Sequence, residues 1–134
     1  MSESAELARC VRFRGKSWDS DEPAREWRLA AAVVTSITAA PVTTPLPGAP
    51  RFVAGLTSID ACIVPVFRLS DAPTRMLVCE YNESPLGLLV DAVTGIGAAP
   101  GDATSAPPEL DLEALLRGAQ RAMRRHHAGP ENER

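Results

Sequence analysis

Alternating apolar and polar residues predict a chain built mainly of short strands. Residues 8–14 (ARCVRFR) alternate apolar and charged side chains with the two-residue period of a half-buried strand. A polar loop over Lys16–Glu26 follows, and the alternation resumes at Trp27–Leu29. Further apolar runs predict strands at Arg51–Leu56, Cys62–Leu69, Met76–Tyr81, Leu86–Val90 and Asp91–Ile96. Turns are expected at residues 58–61 and 82–85, so the pattern indicates a mostly β domain.

Residues 29–40 fit two patterns at once. Leu29, Val33 and Ile37 lie on one helical stripe and the alanines between them favour a helix, whereas the threonines favour a strand. We expect a short helix that passes into extended chain at Pro41, because the prolines that follow exclude a helix.

The end of the chain predicts an amphipathic helix over residues 109–127. Leucines form one stripe, and arginines from Arg117 to Arg125 form the opposite face. Asp111 is expected to cap the helix, and Gly118 is expected to weaken it midway.

Length, composition and charge narrow the class of protein. The 134 residues suggest one domain over 8–117, with a Gly/Ala/Pro-rich linker at 97–108 and disordered tails at 1–7 and 128–134. A net charge of −3 gives no general attraction for nucleic acid, and the longest apolar runs are far shorter than a bilayer span. The N-terminus has no apolar segment typical of a signal peptide. We therefore expect a cytoplasmic protein without membrane insertion or nucleic-acid binding.

Few residues are suited to catalysis or metal binding. Cys62 and Cys79 lie in apolar strands and are expected to be buried thiols. His126 and His127 lie at the end of the helix without a nearby cluster of acids or cysteines. We expect no catalytic residues, metal or cofactor, and thus a binding module. Two alternatives are a regulatory β-barrel module whose arginine-rich helix contacts nucleic acid or an anionic surface, and a small cysteine enzyme.

Residues 34–69 resemble the CheW-like domain, the adaptor that couples chemoreceptors to a histidine kinase. The matching positions are Val34, Ile37, Thr44–Pro50, Phe52, Gly55, Thr57, Ile63–Val66 and Leu69. A second motif of the family resembles Gly87–Val93, and the segment Leu110–Leu116 resembles its entry into the last helix. The resemblance implies a mostly β fold of two small SH3-like β-barrels, the second one reduced, plus a C-terminal α-helix.

The resemblance also implies that the protein is a non-catalytic scaffold, and it implies which partners this scaffold binds. These are the signalling tip of a methyl-accepting chemoreceptor and, as further candidates, a CheA-type histidine kinase or another CheW protein. By position in the family pattern, the candidate partner-binding residues are Val34, Ser36, Ile37, Leu56, Ile59, Asp60 and Val90. Ser36 and Asp60 stand where the family has an acid and an arginine, which implies altered coupling.

One part of the family pattern is missing. Thirteen residues separate Ile96 from Leu110, where the family places two further strands. Their loss should leave a strand edge unpaired, and such an edge must be covered, charged or paired with another chain. A homodimer, or a strand taken from a partner, is the expected consequence.

Overall fold

The described chain consists of eight strands and one long helix. The computed structural model describes the backbone of residues 9–98 and 107–132, and the side chains of residues 9–97 and 107–122. The strands are β1 (Arg9–Gly15), β2 (Arg25–Ala30), β3 (Val34–Ala39), β4 (Val53–Ile59), β5 (Cys62–Arg68), β6 (Arg75–Tyr81), β7 (Ser84–Val90) and β8 (Ala92–Ala98). The helix is α1 (Leu112–Asn132). The predicted tail 1–7 and most of the predicted linker lie outside the described residues.

The strands form two sheets. The larger has the order β3-β6-β7-β5-β4, in which only β5 and β7 are parallel. The smaller is antiparallel and has the order β2-β1-β8. Two sheets and a C-terminal helix confirm the predicted mostly β fold class, whereas the predicted reduction of the second barrel falls partly on residues outside the described ranges.

Residues 29–40 are extended, so the expected helix in this segment is wrong. Only Ala31–Val33 form a single turn of 3-10 helix, between β2 and β3. β3 then pairs with β6, for example Ile37 with Leu77. β6 lies about forty residues further along the chain. Pairing with it stabilises the extended form of β3 through hydrogen bonds and cross-strand packing, which outweighs the weak helix propensity of the alanines.

Two hairpins end in two-residue turns, shorter than predicted. Asp60 and Ala61 join β4 to β5 with φ angles of 51° and 67°. Asn82 and Glu83 join β6 to β7 with φ angles of 50° and 65°. Positive φ at both central residues is the signature of a type I′ turn, whose twist matches that of the strands.

Two apolar clusters form the core. The larger joins both sheets to α1 and includes Phe13, Phe67 and Leu115, which are at most 3% exposed. The smaller lies within the five-stranded sheet and includes Val66 and Met76. Because adjacent residues of a strand face opposite sides, Val66 and Phe67 of β5 contribute to different clusters.

Residues 107–110 run along β2 before the helix begins. The backbone N–H of Arg28 donates to Pro108 at 2.9 Å, and that of Leu110 donates to the Arg28 carbonyl at 3.0 Å. The Asp111 carboxylate then accepts a 3.0 Å hydrogen bond from the Ala114 N–H, as an N-cap does. The helix therefore begins at Leu112, three residues later than predicted, and it continues to Asn132.

The loop between β1 and β2 holds α1 in place through Trp18. Its ring lies over Gly118, where a Cβ would be 2.7 Å from ring atoms Cη2 and Cζ3. The same ring packs on Phe52 at 5.0 Å between centroids, and Phe52 stacks on Phe67 at 6.4 Å. Gly118 thus allows α1 and the loop to approach closely, although glycine lowers the intrinsic helix propensity at this position.

Candidate partner-binding surface

Three of the candidate residues lie on β3, an edge strand of the larger sheet. Val34 and Ile37 are half-buried against the larger core cluster, and Ser36 is exposed. A register shift between Val34 and Ser36 interrupts the ladder to β6, and the Thr35 hydroxyl donates to the Val78 carbonyl at 3.0 Å within it. The irregularity allows both apolar side chains to reach the core while part of their surface remains accessible.

Three more candidates lie on the β4–β5 hairpin. Leu56 and Ile59 are half-buried, and Asp60 is exposed in the turn. Thr44 pairs with Leu56 through two backbone hydrogen bonds of 2.8 and 2.9 Å, which hold the proline-rich segment along β4. Gly55 allows this crossing, because a Cβ there would lie 2.9 Å from Pro45 Cα and its φ is +144°.

The two groups border different core clusters, because the two apolar candidates on β3 pack against the larger one and Ile59 packs against the smaller one. Ile59 and Ala40, which follows β3, both pack against the smaller cluster. Within the described residues no hydrogen bond or ion pair joins Ser36 to Asp60. The two groups therefore form two patches on the two edge strands of one sheet.

Val90 is fully buried, with 0% of its surface exposed. It supports the surface from below and cannot touch a partner in the folded domain. The apolar run Leu86–Val90 already indicated a strand covered on both faces.

Two exposed apolar residues near the hairpin were missed by the sequence interpretation. Ile63 lies opposite Ser58 and is 66% exposed, and Val42 is 94% exposed. The Val42 carbonyl accepts a 3.3 Å hydrogen bond from the Thr57 hydroxyl, which places Val42 beside β4. They enlarge the apolar surface around Leu56, and accessible apolar area is typical of a protein–protein contact.

A groove of about 700 Å³ separates α1 from the β6–β7 hairpin. Its apolar lining comes from Leu46, Val53, Pro65, Phe67, Pro85, Leu86, Leu116 and Ala119. At its rim the Tyr81 hydroxyl donates a hydrogen bond of 3.4 Å to the Glu113 carboxylate. The pKa of Tyr81 is raised, mainly because the group is partly desolvated and to a lesser extent because of the negative charge of Glu113.

The arginine face of α1 is partly engaged in the fold. Arg117 donates to Glu113 at 2.6 Å, one turn earlier on the helix. Such a pair leaves less free positive charge for an anionic partner. Arg121 is exposed, whereas the side chains of Arg124 and Arg125 lie outside the described residues, as do those of His126 and His127.

The cysteines differ in their environment. Cys10 and Cys79 are buried, but Cys62 is exposed, so its expected burial is wrong. Cys62 begins β5 directly after the turn, where no other element covers it. Burial raises the pKa of the Cys79 thiol to about 12, which suppresses the reactive thiolate.

Among the described residues, no group of His, Cys, Asp and Glu side chains has an arrangement suited to a metal ion. The helical part of the described chain contains no segment long and apolar enough to cross a bilayer.

Comparison with known proteins agrees with this architecture. The fold is similar to that of the scaffolding protein TtCheW from Thermoanaerobacter tengcongensis, with a TM-score of 0.56 and 20% identity over 75% of this chain and 76% of that chain. No match is found among curated proteins. The family model for the CheW-like domain matches residues 25–123, which confirms the resemblance and supports a scaffold or adaptor role in chemotaxis. Because this match covers most of the sequence, the chain belongs to the CheW-like domain family, whose members are non-catalytic scaffolds.

Proposed function

We propose that the protein is a cytoplasmic chemosensory adaptor that binds the signalling tip of a methyl-accepting chemoreceptor. A CheA-type histidine kinase, through its regulatory domain, is the second partner of this proposal. The observation that carries it is the family match over residues 25–123, which includes both edge strands of the larger sheet and the β4–β5 turn.

The accessible parts of Val34, Ile37 and Leu56 supply the apolar share of the contact. Covering the remaining exposed surface of one such side chain contributes about 0.5–1 kcal/mol. Three or four such contacts, about 2–4 kcal/mol together, do not offset the cost of association by themselves, so backbone and polar contacts must supply the rest of the affinity. An interface of this kind depends little on salt concentration, because screening acts on charges.

The polar share of the contact differs from the family pattern. Asp60 presents a carboxylate at an exposed turn where the family pattern has an arginine, and Ser36 removes the acid that pairs with it. A carboxylate repels an acidic partner that a guanidinium would attract, so this exchange changes partner choice as well as affinity. We propose that the protein couples to a receptor or kinase whose matching surface is not acidic.

Capture of a purified receptor signalling tip, and separately of a CheA-type regulatory domain, tests the function. The variant Ile37→Glu should lose capture of the receptor tip, because it places a charge in the apolar contact. Thr38→Glu is the matched control, since Thr38 is exposed on the same strand. Circular dichroism must show that both variants keep their β content. If neither the tip nor the kinase domain is captured by the unmodified protein, the proposed function is wrong.

A further inference from the structure

The three-stranded sheet has one edge covered by its own chain and one without a strand partner. Residues 107–110 bond to the outer side of β2 through Arg28. Within residues 9–98 and 107–132, no strand pairs with the outer side of β8. This seven-residue strand, AVTGIGA, carries no charged side chain, and its Ile96 is 65% exposed. Edges that must remain unpaired normally carry charges or prolines, so β8 is suited to accept another strand.

Arg12 lies across the outer face of this sheet toward that edge. Because Val11 and Phe13 are buried, the alternation of β1 directs Arg12 and Arg14 to the opposite, outer face. Arg12 is in register with Gly95 of β8, and a Cβ at Gly95 would lie 2.8 Å from the Arg12 Cζ. The glycine thus makes room for the guanidinium directly beside the free edge.

The charges on the outer face of the sheet leave it net positive. Arg12 lies opposite Arg28 of β2, a like-charge pair that lowers stability unless other groups compensate for it. Arg28 is compensated by Glu109, 3.8 Å away, and by the Pro107 carbonyl. Glu26 lies opposite Arg14 and accepts a hydrogen bond from the Thr94 hydroxyl. Arg12 is half-buried, and no hydrogen bond joins its side chain to a described residue.

We propose that the β8 edge accepts an extended segment of a partner protein whose alternate residues are acidic and apolar. The unpaired backbone groups of β8 supply the hydrogen bonds, as in other cases of strand addition. A side chain opposite Gly95 on the added strand would lie about 5 Å away, within reach of the Arg12 guanidinium, so a carboxylate fits there. On the other face, an apolar side chain covers Ile96. This surface is separate from the β3 and β4–β5 patches and adds a second kind of partner to the proposed adaptor.

The positive charge beside β8 favours an acidic segment, rather than a second copy of this chain, as the strand that binds there. Antiparallel pairing of two β8 edges brings the two Arg12 guanidiniums toward the two-fold axis, where like charges repel. A carboxylate at the same position converts this repulsion into a charge-assisted hydrogen bond. The homodimer expected from the sequence is therefore an outcome that the experiment must exclude.

The test uses the full chain and two capped heptapeptides, one alternating Glu with Val and the other alternating Lys with Val. Isotope-labelled protein is titrated with each peptide and followed by amide chemical shifts and hydrogen exchange. The acidic peptide should shift and protect the amides of β8 and bind about tenfold more tightly than its lysine counterpart. Arg12→Glu should reverse this preference. Gly95→Ala should weaken binding without changing any charge, because the added Cβ displaces the guanidinium.

Arg51→Glu is the control, because Arg51 is exposed outside this sheet. It should leave the preference between the peptides unchanged. Equal binding of both peptides, or binding that Arg12→Glu does not alter, would overturn the proposal. So would protection, in the free protein, of the β8 amides that point away from β1, since the others are already bonded within the β1–β8 ladder. Sedimentation as a dimer that Ile96→Lys dissociates would also overturn it, because the edge would then pair with a copy. None of these results affects capture of a receptor tip, so the two proposals fail separately.

Discussion

Replacing Gly118 by alanine should destabilise the protein, although the same change stabilises most helices. In an exposed helix interior, Gly→Ala contributes about 1 kcal/mol through helix propensity alone. Gly118, however, lies beneath Trp18, and its new Cβ would be 2.7 Å from two ring carbons. Ordinary van der Waals contact between carbons is about 3.5–4 Å, so the ring must move.

The magnitude follows from what Trp18 loses when it moves. Its pair with Phe52, at 5.0 Å between centroids, is worth about 0.5–1.5 kcal/mol beyond area burial. Re-exposing part of the half-buried indole costs about 1–2 kcal/mol more. Subtracting the gain in propensity leaves a net loss of about 1–2 kcal/mol for Gly118→Ala.

Urea unfolding of a double-mutant cycle measures the two effects separately. In a Trp18→Ala background the obstacle is absent, so Gly118→Ala should then stabilise by about 1 kcal/mol. The coupling between the two positions should therefore be about 2–3 kcal/mol. If Gly118→Ala stabilises the protein with Trp18 present, the contact does not hold the helix and the reasoning is wrong.

Two further predictions concern the β4–β5 hairpin and the cysteines. Ala61→Gly should raise the free energy of unfolding by about 0.5–1 kcal/mol in urea titration, because Ala61 is held at a φ of 67°, and a lower value would mean that the turn is not strained. With a thiol reagent at neutral pH, Cys62 should react rapidly in the native protein and Cys79 only on unfolding, since Cys79 is 0% exposed and its pKa is about 12. The thiolate fraction of Cys79 should remain small until the pH approaches that pKa, where half of the thiol is ionised. Fast labelling of Cys79 near pH 7 would contradict its burial.

Most strands could be predicted from the sequence because their signal is local. Apolar and polar residues alternate within β1, and continuous apolar runs mark β6 and β7, which are covered on both faces. β3 could not be predicted in this way, because its partner β6 begins at Arg75, far along the chain. Its alanines and threonines carry too weak a preference to decide between helix and strand.

The candidate residues given by the family pattern differ in their exposure. The family pattern gave Val34, Ile37 and Leu56 as contact residues, and these keep accessible surface. The same pattern gave Val90, which is fully buried, because a motif preserves position in the chain and carries no information on exposure. The exposed Ile63 was missed because its neighbours in β5 are apolar and indicate burial.

Glycines were the least predictable residues, because the reason for each lies elsewhere in the chain. Gly118 appeared to be a weak point of the helix until Trp18, a hundred positions earlier, was seen above it. Gly95 gives no signal of its own in the sequence, and only the strand register shows that Arg12 lies over it. A glycine inside a regular element is therefore better interpreted as a possible close contact than as a loss of propensity alone.

The three-stranded sheet explains why these two glycine contacts occur where they do. The three described strands do not close into a barrel by themselves, and other parts of the chain cover the sheet. On one side residues 107–110 extend β2 and lead directly into α1, whose Leu112 and Leu115 complete the core shared with Phe13. The Trp18 loop holds that helix against the sheet. On the other side no described strand pairs with the outer edge of β8, where Ile96 is exposed and Arg12 lies beside Gly95. In the part of the chain that the structure describes, the β2 side of this sheet is thus supported internally, and the β8 side is where we propose that a partner strand binds.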